Sequence, residues 1–275
     1  MKPELLPTFA DFAAGEPLDL GLGALLVARE AYPHLDPDLY LERLERMAAA
    51  VEPRVLRMKS GYQRLACLGE FLFAELGFSG NAEDYYDPRN SYLNDVMDRR
   101  LGIPITLSIL YIEVGRRCGL PLCGVNFPTH FIVLCDIPEG PLYVNPFSGG
   151  TLLEPSDLEE LLPRHKGKRL HLDNAFLQPA SSREILARML RNLKMIHAQQ
   201  QRFAAAIDAG EKINMLQPEA AGDHRDLGNL YFRVGAYQQA LSSFHAYLRH
   251  AGEAEDDGEV RHTIATIGAR LGALN

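Results

Sequence analysis

No stretch of this 275-residue chain approaches the roughly 18 consecutive apolar residues that a membrane-spanning helix needs, so no membrane association is expected. The opening residues Met1-Lys2-Pro3-Glu4 lack the charged-then-apolar pattern of a secretory leader. Cysteine is scarce. Cys67, Cys118, Cys123 and Cys135 lie scattered among apolar residues without paired spacing, which predicts buried free thiols in a reducing cytoplasm rather than disulfides. Cys118, Cys123, Cys135 and His130 fit no zinc ribbon or finger spacing, and neither a metal nor another cofactor is expected. Positive charge is also in short supply, 28 Lys and Arg against 36 Asp and Glu, for a formal charge of −8. That balance argues against broad nucleic-acid binding, which needs a phosphate-neutralising surface, while leaving protein partners open.

What is present is ample apolar content, 47% hydrophobic residues against 23% charged, as in ordinary packed globular proteins. The first hundred residues read as helices. Leu20, Leu22, Leu25, Leu26 and Ala28 form an apolar face, and Pro37 after Asp36 suits a first helical position. Leu39, Leu41, Leu44, Met47 and Val51 follow close to the helical period. A third helix carries Tyr62, Leu65, Ala66, Leu68, Leu72, Phe73 and Leu76 and stops at Gly77. The aromatic, turn-rich run Tyr85-Tyr86-Asp87-Pro88-Arg89-Asn90-Ser91 precedes a short helix from Leu93 to Arg100.

From Gly102 the texture changes. Pro104 suits a helix start, and Ile105, Leu107, Ile109, Leu110, Ile112 and Val114 are apolar nearly all round, so this helix should be buried on every side. Gly119-Leu120-Pro121 ends it, and strands are expected at Leu122 to Val125, His130 to Asp136 and Leu142 to Val144, with Gly140-Pro141 as the turn between the last two. Ser156 to Leu162 reads as a small capped helix. The fold class expected is α+β and mostly helical: N-terminal helices, then a helix wrapped by a small antiparallel sheet, then further helices.

A basic loop, Arg164-His165-Lys166-Gly167-Lys168-Arg169, is read as a solvated linker before Ser181-Ser182 caps a long helix. Beyond it lies a repeat. Ala187, Leu190, Leu193, Phe203, Ala206, Ile213 and Pro218 recur about 34 residues later as Ala221, His224, Leu227, Tyr237, Ala240, Tyr247 and Gly252. Leu227-Gly228, Tyr231, Ala240 and Phe244 fall where the tetratricopeptide pattern places them, and Lys194 and His197 replace the Gly and Tyr positions in the first copy. Residues from Gly258 to Leu274 read as a capping helix.

The chemistry rests on two positions. His130 opens an apolar segment and Asn145 ends the next strand before Pro146, the placement of a general base and its orienting residue in papain-like and transglutaminase-like cores. Their nucleophile would be a cysteine at the positive end of the buried helix, where a thiolate is favoured. Here that position falls near Pro104, which has no nucleophilic atom. Thr106 and Ser108 follow as weaker alcohols, Cys118 sits at the negative end, and Cys67 has no sequence support. The simpler reading makes His130 a packed histidine of a non-catalytic domain. Asn90, Asn94, Arg99 and Arg100 either line a cleft for a peptide or anionic group or serve as caps and ion pairs at a junction. Phe127 and Phe147, with Tyr85 and Tyr86, are either a cleft wall or core.

The runs Gly77-Phe78-Ser79-Gly80-Asn81, Tyr86-Asp87-Pro88, Asn90-Ser91, Leu93-Asn94, Arg99-Arg100, Gly102-Ile103-Pro104-Ile105, Phe127-Pro128, His130-Phe131 and Asn145-Pro146-Phe147 resemble the SirB-one family. So do Gly119-Leu120-Pro121, Arg188-Met189-Leu190, Asn192-Leu193-Lys194 and Arg225-Asp226-Leu227-Gly228. The resemblance implies a transglutaminase-like domain over residues 1–165 (helical over 1–100, buried helix and sheet over 101–165) and a tetratricopeptide-like region over 181–275. It carries over no secure activity. The triad histidine maps onto His130, the aspartate onto Asn145 and the cysteine onto nothing. The function expected is non-catalytic binding of a protein or peptide partner, with a hydrolase or acyl transferase using His130 and a non-standard nucleophile as the alternative.

Overall fold

The computed structural model describes residues 7–165, 168–252 and 256–274. Contacts divide the chain into two compact units, one of residues 16–189 and one combining the chain up to Gly15 with residues from Leu190 onward. The protein is α+β and mostly helical. Among the described residues no helix is long and apolar enough to cross a membrane.

Helix α1 (Phe9–Ala14), capped reciprocally by Thr8 and Asp11, belongs to the second of these units, where it packs on α9 (Phe203–Leu216). The other unit opens with α2 (Leu20–Ala28), α3 (Pro37–Val55) and α4 (Gly61–Gly69), begun by the side-chain caps Asp19, Asp36 and Ser60. The segment expected to continue α4 to Gly77 instead widens into a π-helical turn over Glu70–Glu75, and Gly77 then takes φ +74° to stop it. Strand β1 (Ser79–Gly80) pairs in parallel with β2 (Leu101–Gly102), bracketing a short 3-10 turn at Pro88–Asn90 and helix α5 (Leu93–Arg99).

Helix α6 (Pro104–Arg117) is buried without interruption from Ile105 to Gly115, as its all-round apolar surface predicts. It packs against β3 (Leu122–Val125) and β4 (Ile132–Ile137). The five-stranded sheet runs β6 (Thr151–Leu153), β5 (Gly140–Asn145), β4, β3, β9 (Pro179–Ala180), all antiparallel. Two boundaries differ from expectation. The β4–β5 turn is Pro138-Glu139, because Ile137 pairs with Gly140 and Gly140-Pro141 already lie in the strand. His130 stands outside β4, since the chain turns at Phe127–His130 and the ladder with β3 begins only at Ile132 opposite Val125. Helix α7 (Pro155–Leu161) covers one face through Leu158, packed with Val125, Phe127, Ile132 and Leu134. Of the basic loop, Lys166 and Gly167 lie outside the described residues, while Arg164–His165 (β7) and Lys168–Arg169 (β8) pair antiparallel.

Helix α8 (Ser182–Gln199) starts at the expected Ser181 cap, which bonds reciprocally with Glu184. Helices α9, α10 (Ala221–Arg233), α11 (Tyr237–His250) and α12 (Asp257–Leu274) follow. The repeat is real in packing as well as in letters: Ala206, Ile213, Leu227, Ala240 and Tyr247 are all buried. Gly228 lets α10 approach α11 so closely that a Cβ there would come within 2.7 Å of the Phe244 ring. Its small size is therefore a packing requirement.

Candidate functional site

The N-terminal end of α6 is where this architecture would present a nucleophile. Ile103 caps the helix and Pro104 takes its first position. Thr106 is fully buried, and its hydroxyl accepts from the Ile103 N–H at 3.1 Å while donating to the Asn90 carbonyl at 2.7 Å. It closes the helix end and holds the preceding loop. Ser108 is also buried, without a hydrogen-bond partner among the described residues, and lies about 200° around the helix from Thr106. Neither alcohol meets an imidazole.

The thiols offer no substitute. Cys118 sits at the C-terminal end of α6, its Sγ 3.7 Å from the Ala48 carbonyl, and burial pushes it up to about 11. Burial pushes Cys135, on β4, up to about 11 as well. Cys67 is buried and Cys123 half-buried. With pKa values near 11, thiolate populations at pH 7 are on the order of one in ten thousand. Labelling of native protein with a mild disulfide reagent should therefore leave Cys118 and Cys135 unmodified until unfolding, and rapid native modification of either would contradict the placement.

Asn145 ends β5 and spends its side chain on the turn that follows. Its Oδ1 accepts from the backbone N–H groups of Phe147 (3.1 Å) and Ser148 (3.3 Å), and its Nδ2 donates to the Ser148 hydroxyl (3.1 Å). It does not bond His130. The His130 Nδ1 lies 3.0 Å from the Thr129 hydroxyl and 3.4 Å from the Pro128 carbonyl. A carbonyl can only accept, so its presence favours the tautomer with the proton on Nδ1, leaving Nε2 as the basic nitrogen. Thr129 sits at φ +62°, a strained conformation for a β-branched residue.

That strained turn is clamped by Arg188 of α8. The guanidinium donates to the carbonyls of His130 (2.6 Å) and Phe127 (3.4 Å) and to Asn126 Oδ1 (3.2 Å), and lies over the Phe131 ring at 5.4 Å. Sequence reasoning did not single out this residue for a site. Only its place in a family-like run marked it, because periodicity shows α8 burying one face and not where a long side chain from it reaches.

Asn90 and Asn94 are buried, not displayed. Asn90 accepts from Asn81 Nδ2 and donates to the carbonyls of Asp84 (2.7 Å) and Tyr85 (3.3 Å), pinning the 81–91 loop. Asn94 Oδ1 has no partner among the described residues. Arg99 joins Arg89 on the buried Asp87 carboxylate, at 3.2 and 2.8 Å. Burial tends to raise the Asp87 pKa, but hydrogen bonds from Arg89 and the two positive charges outweigh it and hold the group below the ordinary carboxylate range. Arg100 closes α5 in the left-handed conformation, and Phe127 is fully buried in the sheet's core.

Of the cleft candidates, Arg100 is exposed, and Phe147 is half-buried within an aromatic surface. Phe147 lies on Gly80, where a Cβ would come within 2.5 Å of the ring, and meets Tyr85 edge-on at 6.2 Å. Tyr85 in turn meets Tyr86 at 5.3 Å, and the two tyrosines are 37% and 54% exposed. Burial, with the neighbouring Tyr86, raises the Tyr85 pKa against the opposing charge of Arg188. The arrangement can stack and hydrogen-bond a chain laid across it. Among the described residues no nucleophile, base and orienter are assembled there.

Residues 38–191 match the transglutaminase-like superfamily and residues 193–265 the tetratricopeptide repeat. A UPF0162 protein of Xylella fastidiosa is 40% identical over 250 residues, 89% of each chain. Protein SirB1 of Salmonella typhimurium is 26% identical over 82% of this chain and 84% of its own. F-box only protein 21 of Homo sapiens is 33% identical over 147 residues, half of this chain and 22% of that protein. No solved structure matches significantly. With more than half its length in the transglutaminase-like match and a UPF0162 relative aligned nearly end to end, the chain belongs to the transglutaminase-like superfamily, in the UPF0162 and SirB1 family that joins this fold to tetratricopeptide helices.

Proposed function

We propose that this is a non-catalytic, cytoplasmic protein- or peptide-binding protein with a regulatory role, built on a degenerate transglutaminase-like scaffold and its tetratricopeptide helices. The observation that carries the reading is the fate of the three triad positions: proline at the nucleophile's place, Asn145 consumed by its own turn, and His130 held in a separate turn by Arg188. The fold is kept while the chemistry is dismantled, and repeat helices of this kind ordinarily recognise extended peptides on a concave face. The free thiols support a reducing compartment, and the charge of −8 disfavours nucleic acid as the partner.

The test is an activity screen over thioesters, amides and glutamine peptides, run on wild type and His130→Gln, beside affinity capture with mass spectrometry. Expected are no turnover by either protein, a specific captured partner, and a stability loss of at most about 1–3 kcal/mol in His130→Gln, the scale of a hydrogen bond lost. Turnover by wild type that vanishes in the variant overturns the reading.

A second reading, a hydrolase or acyl transferase, has one observation in its favour: the Thr129 hydroxyl at 3.0 Å from the imidazole in a strained turn. Attack of that oxygen on an acyl carbon, with its proton passing to Nδ1 and then to the leaving group, would leave a Thr129 ester for water to cleave. The adjacent Pro128 carbonyl works against it by favouring a proton already on Nδ1. Thr129→Gly relieves the backbone strain while removing the hydroxyl, so activity lost in this stable variant would establish the second reading.

A further inference from the structure

Two cavities open side by side on the tetratricopeptide helices. One, of about 330 Å³, is lined by Lys194, Met195 and Ala198 of α8 and by Asp226, Asn229, Leu230 and Arg233 of α10. The other, of about 230 Å³, lies between α10 and α12 and is lined by Arg225, Asp226, Asn229, Asp256, Glu259 and Thr263 among others. They share Asp226 and Asn229, so they adjoin along α10 as the two halves of a groove between α8 and α12.

Most of the groove's charges neutralise one another. Lys194 is held by Asp223 (3.1 Å) and Asp226 (2.9 Å), and Arg225 pairs with Asp256 and lies 3.6 Å from Asp226. Two exposed charges are left over. The Arg233 guanidinium lies over the Phe203 ring at 4.9 Å and has no carboxylate partner among the described residues. The Glu259 carboxylate has no cationic partner among them. One is in each cavity, so the groove has a positive and a negative end. The apolar residues Met195, Ala198 and Leu230 lie at the positive end, and Met195 is 40% exposed. Asn229, exposed where the cavities meet, offers both a donor and an acceptor to a passing peptide backbone.

Resting on the binding reading above, we infer that this groove takes an extended peptide of defined charge order: an apolar residue beside an acidic one over Met195 and Arg233, and a basic residue over Glu259. Helix axes packed in this way stand about 10 Å apart, which an extended chain crosses in about three residues. The basic residue therefore stands about three positions from the apolar–acidic pair. A plain acidic or plain basic peptide meets a like charge at one end and is disfavoured there.

The probe is an array of synthetic decamers in a Ser/Gly background that permutes the order and spacing of Lys, Leu and Glu in both chain directions. It is exposed to the labelled full-length protein. Expected is selection of peptides with Leu-Glu about three residues from Lys, over peptides in which Lys and Glu are exchanged. Arg233→Glu and Glu259→Lys should each weaken the selected peptide roughly fivefold, the scale of one exposed ion pair. Both positions are exposed, so the variants should fold, and the double variant should prefer the exchanged peptides. An array that binds nothing overturns the inference, as does binding without charge order or an order unchanged in the double variant. A captured partner retained equally by the double variant overturns it too, while leaving the binding reading standing. A failure to capture any partner removes that reading itself. Self-association of the full-length chain that the double variant abolishes would place a second copy in the groove and exclude the peptide.

Discussion

Leu107→Ala should destabilise the protein by about 2–5 kcal/mol, and Ile109→Ala by a similar amount, the range found when a buried branched side chain is cut to a methyl. Both side chains are fully buried in α6, the helix on which β3, β4 and the Pro146–Ser148 turn rest. A large loss is expected rather than a small one because the surroundings are held on several sides. Leu107 packs against Gly102 of the β1–β2 pair, and one helical turn further on Tyr111 donates to the Leu65 carbonyl of α4 at 2.8 Å. Neighbours tied down in this way cannot collapse into the space, so the cavity persists and its cost adds to the lost transfer energy. Urea denaturation of both variants measures the effect. A loss below about 1 kcal/mol in both would mean that α6 is not the centre of the core.

The burial of α6 was legible in the letters because a helix apolar on every side has only one stable environment. The tetratricopeptide helices were legible for a related reason: Gly228, Ala240 and Tyr247 are small or aromatic where close helix packing demands it. The site was less so. Strand periodicity carried His130 into β4, but Pro128 and the positive φ of Thr129 break the strand first, and the Phe127–His130 turn reverses the chain before pairing starts. Polar clusters are ambiguous by nature. Asn90, Asn94 and Arg99 have the composition of a ligand cleft and also that of loop and ion-pair fasteners, and only their burial and partners separate the two. The π-helical turn at Glu70–Glu75 was invisible because its apolar residues fit an ordinary helical period. Arg188 escaped for want of distance: its partners lie about sixty residues earlier in the chain.

Asp223→Asn should cost about 3 kcal/mol at neutral pH, the low end of what breaking a buried ion pair costs. The Asp223 side chain, 8% exposed on α10, accepts from Arg191 Nη2 at 2.6 Å and Nε at 3.0 Å and from Lys194 Nζ at 3.1 Å, both on α8. Asparagine would retain one acceptor oxygen but turn an amide donor toward two cationic donors. The loss stays near the low end because Lys194 keeps Asp226 at 2.9 Å and Arg191 keeps Gln217 at 2.5 Å. Burial alone would raise the pKa of Asp223, yet the hydrogen bonds and charges of Arg191 and Lys194 prevail and hold it below the ordinary carboxylate value. A carboxylate lowered on folding contributes stability that is complete above its unfolded pKa, about 3.9, and is lost as pH falls through the lower folded value. The gap between wild type and Asp223→Asn should therefore be widest at pH 7 and close progressively below about pH 4. Urea titrations of the C-terminal helical transition at pH 7, 5 and 3 would measure it. A gap that is independent of pH over that range would mean the aspartate acts through packing alone, and that the α8–α10 register does not depend on its charge.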